Sequence, residues 1–208
     1  MTWRKAVREA MYAATLDEAE WRFGTRTPVF NYRWEHVRAV TTLAVRLAQL
    51  TGADLDVVEA AAWLHDVRKE AKEEHPQEGA AFAREFLAQT DFPADKIEPV
   101  AEAIKAHMGL YRDEPIIGLE AQVLWDADKL SKTGLTAAAH WLGLDLASGR
   151  ELTTFDFLTN GKSVDWHQKS LDSMHTAPAR AAAEGRLQAF RWLWNQLEAE
   201  LRGEDLGL

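Results

Sequence analysis

The stretch from Ile97 to His107 sets Ile97, Val100, Ile104 and His107 at intervals of three and four residues, the repeat of one helical face. A chain built from such stripes must bury each of them against another helix. The pattern recurs in "NYRWEHVRAVTTLAVRLAQL", where His36, Val40, Leu43 and Leu47 share a face. It recurs again with Val58, Ala61, Ala62 and His65, in a segment that Asp54 or Asp56 can cap. Three predicted helices each turn a histidine inward. Glycine and proline are sparse, β-branched alternation is almost absent, and short breaks such as "LTGAD", "DFPADK" and "RDEPIIG" separate the runs. The predicted fold is all-α.

The remaining segments follow the same reading. A first helix is expected from about Trp3 to Trp21, with Val7, Met11 and Ala14 as its inner stripe. A helix through Phe82, Phe86 and Leu87 follows "KEEHPQ", and Pro93 opens the helix that carries His107. "EPIIGLEAQVLWDADKLSKTG" reads as a loop and then a helix with a break near Gly134, whereas the polar segment 148–164 reads as a loop or flap. A long final helix aligns Leu187, Phe190, Trp194, Leu197 and Leu201. With 208 residues, 47% of them hydrophobic, and no repeat or linker, one domain across 1–208 is the economical division.

Several classes are excluded at this stage. There is no cysteine, so disulfides and thiolate metal sites are ruled out, leaving histidine and carboxylate as ligands. A formal net charge of −9 opposes extended contact with a nucleic-acid backbone. No window approaches the ~18 uncharged residues of a membrane span, and the N-terminus lacks an apolar leader core. The expectation is a cytoplasmic protein. "NGKS" at 160–163 imitates the end of a phosphate loop, but Asp156 stands where that loop needs glycine.

One histidine on an apolar stripe is ordinarily a core residue bonded to a carbonyl. Three of them, with Asp66 beside His65 and with Asp126 and Asp128 on a later helix, are a different matter. Burying several imidazoles and carboxylates unbalanced costs several kcal/mol per charged group, and a bound cation removes that cost. Mixed nitrogen and oxygen ligands suit Mn, Fe, Co, Ni or Zn, with Mg as a loosely held activator.

His36, His65-Asp66 and the distant aspartate of "WDADKL" resemble the H…HD…D signature of the HD-domain superfamily of metal-dependent phosphohydrolases. "HPQEGAAFAREFL", "VAEAIKAHM", "DADKLSKTG" and the tail from Trp166 are similar to a bacterial branch of nucleotide pyrophosphohydrolases, over roughly 30–202. The resemblance implies a single-domain HD-fold helical bundle, with a core over about 30–135 and a C-terminal helical extension over about 136–202. It implies His36, His65, Asp66 and Asp128 as metal ligands, and His75 and His107 at the positions of a second metal. Periodicity instead places Asp126 on the stripe with Leu119, Val123 and Leu130, so Asp126 stands as a partner of the ligands or a general base. Ser131 departs from the branch, which commonly carries an acid there.

Arg33, one turn before His36, and Lys69, one turn after His65, lie at spacings that face the ligands, and Lys129 and Lys132 follow Asp128. Together they form a phosphate-attracting field in an acidic chain. The expected partner is a nucleotide or another small phosphorylated substrate, and the Trp-rich terminal stripe allows a homodimer. Two rivals stand beside the phosphohydrolase. One is a mixed-valent diiron oxygenase of the same superfamily, which needs His75 and His107 both to bind. The other is a non-catalytic nucleotide-sensing module.

Overall fold

The computed structural model describes residues 2–207. It contains ten α-helices and no strand among those residues: α1 Trp3–Phe23, α2 Tyr32–Thr51, α3 Leu55–Leu64, α4 His75–Leu87, α5 Ile97–Lys105, α6 Leu119–Ser131, α7 Gly134–Ala147, α8 Thr154–Lys162, α9 His167–Asp172 and α10 Ala177–Arg202. Caps fix several of the boundaries. Asp54 accepts the backbone N–H groups of Asp56 and Val57 to start α3, and Asn31 accepts that of Trp34 to start α2. Gly24, Gly52 and Gly203 end α1, α2 and α10 in the left-handed conformation that glycine adopts without a Cβ penalty.

Helix α2 packs against α3 and α6, α3 against α5, and α4 against α5. Ten residues make a marginal helix in isolation, so α3 depends on its neighbours. Its Val57, Val58, Ala60, Ala61, Ala62 and Leu64 are all buried, and the three alanines let those neighbours approach closely. The chain turns sharply after Leu64, with the N–H of Val67 on Leu64 and that of Lys69 on Asp66. That turn is what carries His65 and Asp66 out of the apolar stripe.

A second apolar cluster is built by the C-terminal helices, where Ala138, Leu158, Phe190 and Trp194 are buried together. Segment 148–164 is therefore not simply a loop, because α8 lies within it. A capping box between Thr153 and Asp156 starts that helix, and Leu158 anchors it in the cluster. Trp194 lies across Gly161, where a Cβ would come within 2.3 Å of its ring. Of the aromatic tail, Trp194 faces inward and Trp192 is exposed. No helix among the described residues is long and apolar enough to cross a membrane.

Candidate metal centre

Five elements meet at one polar cluster. His36 comes from the second turn of α2, His65 and Asp66 from the turn after α3, His75 from the start of α4, His107 from just beyond α5, and Asp128 from α6. All six side chains are buried. The Nε2 atoms of His36 and His65 lie 3.4 Å apart. Asp66 Oδ2 is 3.5 Å from each of them, and Asp128 Oδ1 is 3.2 Å from that of His36. On the other side of Asp66, Oδ1 lies 3.4 Å from His75 Nε2 and 3.6 Å from His107 Nε2, and those two nitrogens are 3.2 Å apart. Asp66 thus divides its two oxygens between two histidine pairs.

The other face of each ring decides what these nitrogens can do. The Nδ1 atoms of His65, His75 and His107 each contact a backbone carbonyl, of Ala62, Lys72 and Ile104 respectively, so each must carry the proton and donate it. Ser131 Oγ donates to the carbonyl of Asp128 at 2.7 Å, which uses its only hydrogen. It therefore accepts from His36 Nδ1 at 3.1 Å. All four Nε2 atoms then present lone pairs inward, toward one another and toward carboxylate oxygens. Burial holds His65 well below the ordinary histidine pKa and His107 below it, against the pull of nearby Asp66, so these rings stay neutral. At the His36–His65 pair these lone pairs converge with no hydrogen-bond donor between them among the described residues, which calls for a cation, and neutral imidazole tied back through Nδ1 is the form that binds one. The groups His36–His65–Asp66 and Asp66–His75–His107 each have the size and composition to hold a metal ion. The donor set fits a divalent ion.

Basic side chains surround the cluster. Arg33 bonds Asp66 on one side and Glu18 on the other, at 2.7 and 3.1 Å. Lys69 Nζ lies 3.1 Å from Asp66 Oδ1, Lys132 Nζ lies 2.6 Å from Asp128 Oδ1, and Lys129 bonds Asp128 Oδ2. Burial alone would raise both carboxylates. Arg33 and Lys69 at Asp66, and Lys129 and Lys132 at Asp128, outweigh it and hold them well below the ordinary range. Lys129 is fully buried, and that burial pushes its pKa down to about 8.

Asp66, His75, His107 and Asp128 line a cleft of about 370 Å³, with His36 and His65 buried behind them. Lys69, Lys72 and Lys132 line it, with Met108, Gly109 and Leu110 on its rim. A larger groove of about 720 Å³ runs along α1 between Arg8, Tyr12 and Trp34, and no residue of the cluster lines it.

Asp126 does not join the cluster. Its carboxylate accepts the backbone N–H groups of His175 and Thr176 and the hydroxyl of Thr176, at 2.7 to 2.9 Å, where the chain enters α10. Two residues along a helix turn the side chain by about 200°, so Asp126 and Asp128 point to opposite faces of α6. Both are buried because α6 is covered all round, with every residue from Val123 to Ser131 buried. His75, whose neighbour Pro76 also suits an exposed turn, is instead the buried first residue of α4, where that proline fits the first turn.

Glu18 escaped the sequence reading. Its signal was an acid on the stripe of Val7 and Met11, four residues beyond Ala14. Lys72 carried no such signal, because its place on the cleft follows from a backbone reversal (φ 53°, ψ −112°) that aims its carbonyl at His75.

Residues 33–133 match the family model described as HD domain. No curated protein matches the chain in sequence. Solved structures do. A predicted HD superfamily hydrolase from an uncultured Thermotogales bacterium is 20% identical, with a TM-score of 0.61 over 91% of this chain and 92% of that one. YpgQ of Bacillus subtilis, solved in complex with ADP, is 23% identical, with a TM-score of 0.61 over 90% and 98%. An HD-superfamily hydrolase from Bacillus thuringiensis is 20% identical, with a TM-score of 0.58 over 94% and 98%. At these identities the likeness establishes a shared fold.

Proposed function

We propose that the chain, whose residues 33–133 match the HD-domain model, is a divalent-metal phosphohydrolase that cleaves a phosphoester or phosphoanhydride bond of a nucleotide. The substrate class we favour is a nucleoside or deoxynucleoside triphosphate, split to monophosphate and pyrophosphate. The observation that carries this reading is the convergence of lone pairs from His36 and His65 with Asp66 and Asp128, the two carboxylates also lining a lysine-bearing cleft. The ADP complex of YpgQ, which shares the fold, supports a nucleotide ligand.

His36, His65, Asp66 and Asp128 would hold the ion. When bound there, a divalent cation supplies a Lewis acid that lowers the pKa of water toward neutrality and offsets charge building up on phosphorus. The protein supplies position and charge. Arg33 is locked between Glu18 and Asp66 and orients the carboxylate. Ser131 fixes the His36 ring. Lys69 and Lys132 reach the cleft from its floor and Lys72 from its rim, so all three can meet phosphate oxygens while the apolar rim at Met108 and Leu110 faces the rest of the substrate.

The test is phosphate and pyrophosphate release from a nucleotide panel with Mn, Co, Ni and Mg. Turnover with at least one triphosphate that disappears in Asp66→Ala is expected. Turnover with none of them, by a metal-loaded chain, would overturn the assignment.

A further inference from the structure

The two histidine pairs beside Asp66 differ in one respect. At the His36–His65 pair no donor among the described residues reaches either Nε2. At the second pair the ammonium of Lys69 lies 3.1 Å from His75 Nε2 and 3.1 Å from Asp66 Oδ1, bridging the two. His75 has given its Nδ1 proton to the carbonyl of Lys72, so its Nε2 offers one lone pair, and an ammonium has only donors. A lone pair serves one cation at a time.

We infer that Lys69 is the resident cation of the second cluster, so the chain takes one divalent ion, at His36, His65, Asp66 and Asp128, and not two. This rests on the metal-centre reading of the first cluster and fixes its stoichiometry.

Two more observations support it. With the single His75 lone pair engaged by Lys69, the second cluster is left with two donors, His107 Nε2 and Asp66 Oδ1, where the first offers two imidazoles and two carboxylates. The local charge also argues against a second metal. Glu18, Asp66 and Asp128 already face four cationic side chains, Arg33, Lys69, Lys129 and Lys132. A second divalent ion would enter a site that is net positive before the first arrives. A dinuclear iron centre, and with it oxygenase chemistry, would have to displace Lys69.

The test is a count of bound ions. The full-length chain is loaded with Mn(II), freed of excess by gel filtration, and read by elemental analysis and by electron paramagnetic resonance. One ion per chain with an uncoupled Mn signal is expected for the native protein and for Lys69→Arg. Lys69→Met, which removes the ammonium but keeps the length of the stem, is expected to take up a second ion and show a coupled pair. His75→Gln checks the idea from the other side: its Mn affinity should stay within about threefold of native. Two coupled ions in the native chain, a folded Lys69→Met that still binds one, or a tenfold loss of affinity in His75→Gln would each overturn the inference. None of these readouts depends on turnover. A chain that counts one ion but cleaves no nucleotide would sink the proposed function and leave the role of Lys69 standing.

Discussion

The hydroxyl of Ser131 sits at a junction where a small residue has large leverage. It donates to the carbonyl of Asp128 and accepts from His36, tying the backbone of one proposed ligand to the ring of another and fixing the tautomer that leaves Nε2 free. Groups that orient metal-bound histidines typically carry 10–100-fold in metal affinity. Ser131→Ala should therefore weaken binding by roughly tenfold or more at unchanged helicity, measured by calorimetric titration with Mn(II). An unchanged dissociation constant would show that the ring is held by other contacts. The sequence pointed to this residue only as a departure from a family pattern. Its role depends on two hydrogen bonds, one of them reaching across 95 residues to His36, and spacing does not encode such bonds.

Helix α6 shows why periodicity alone does not say which buried aspartate meets the histidines. A helix exposed on one side has one apolar stripe, and a polar residue on that stripe is conspicuous. With both faces of α6 buried, two aspartates two residues apart are both inside, and the apolar neighbours cannot say which one meets the histidines. The HD motif pointed to Asp128, and the geometry explains why Asp126 is nevertheless buried: it holds the entry to α10. Asp126→Ala should leave two backbone N–H groups and a hydroxyl short of an acceptor. The expected cost is about 1–3 kcal/mol of stability, read by urea unfolding, with Mn(II) affinity little changed. Loss of metal at full stability would reverse these roles. Inward helices with strong stripes were legible from sequence because 3.6-residue spacing survives any tertiary context. Helix α8 was not, since its start depends on a Thr153–Asp156 capping box and its burial on Trp194, 33 residues beyond Gly161.

Across the whole molecule, the buried histidines make folding sensitive to acid. His65 and His107 are held below 6.5 mainly by burial, so as pH falls beneath that value the unfolded chain gains protons that the folded chain refuses. Stability must then decrease, by up to about 1.4 kcal/mol per pH unit for each such histidine. Asp66 and Asp128 act lower on the scale. Their pKa values are depressed in the folded state, so their contribution is complete above the ordinary carboxylate range and is lost progressively as pH falls from that range down through the lowered values. The metal-free chain should thus show a falling urea midpoint between pH 7 and pH 5 with an unchanged slope, and a flat profile would mean that the rings take up protons in the folded state. The central claim, that residues separated by up to 92 positions from His36 to Asp128 gather around one ion, is tested most directly by anomalous scattering from crystals grown with Mn(II). The account predicts one strong peak within about 2.0–2.3 Å of His36 Nε2, His65 Nε2 and an oxygen each of Asp66 and Asp128. A peak bound elsewhere, or none at saturating Mn(II), would contradict it.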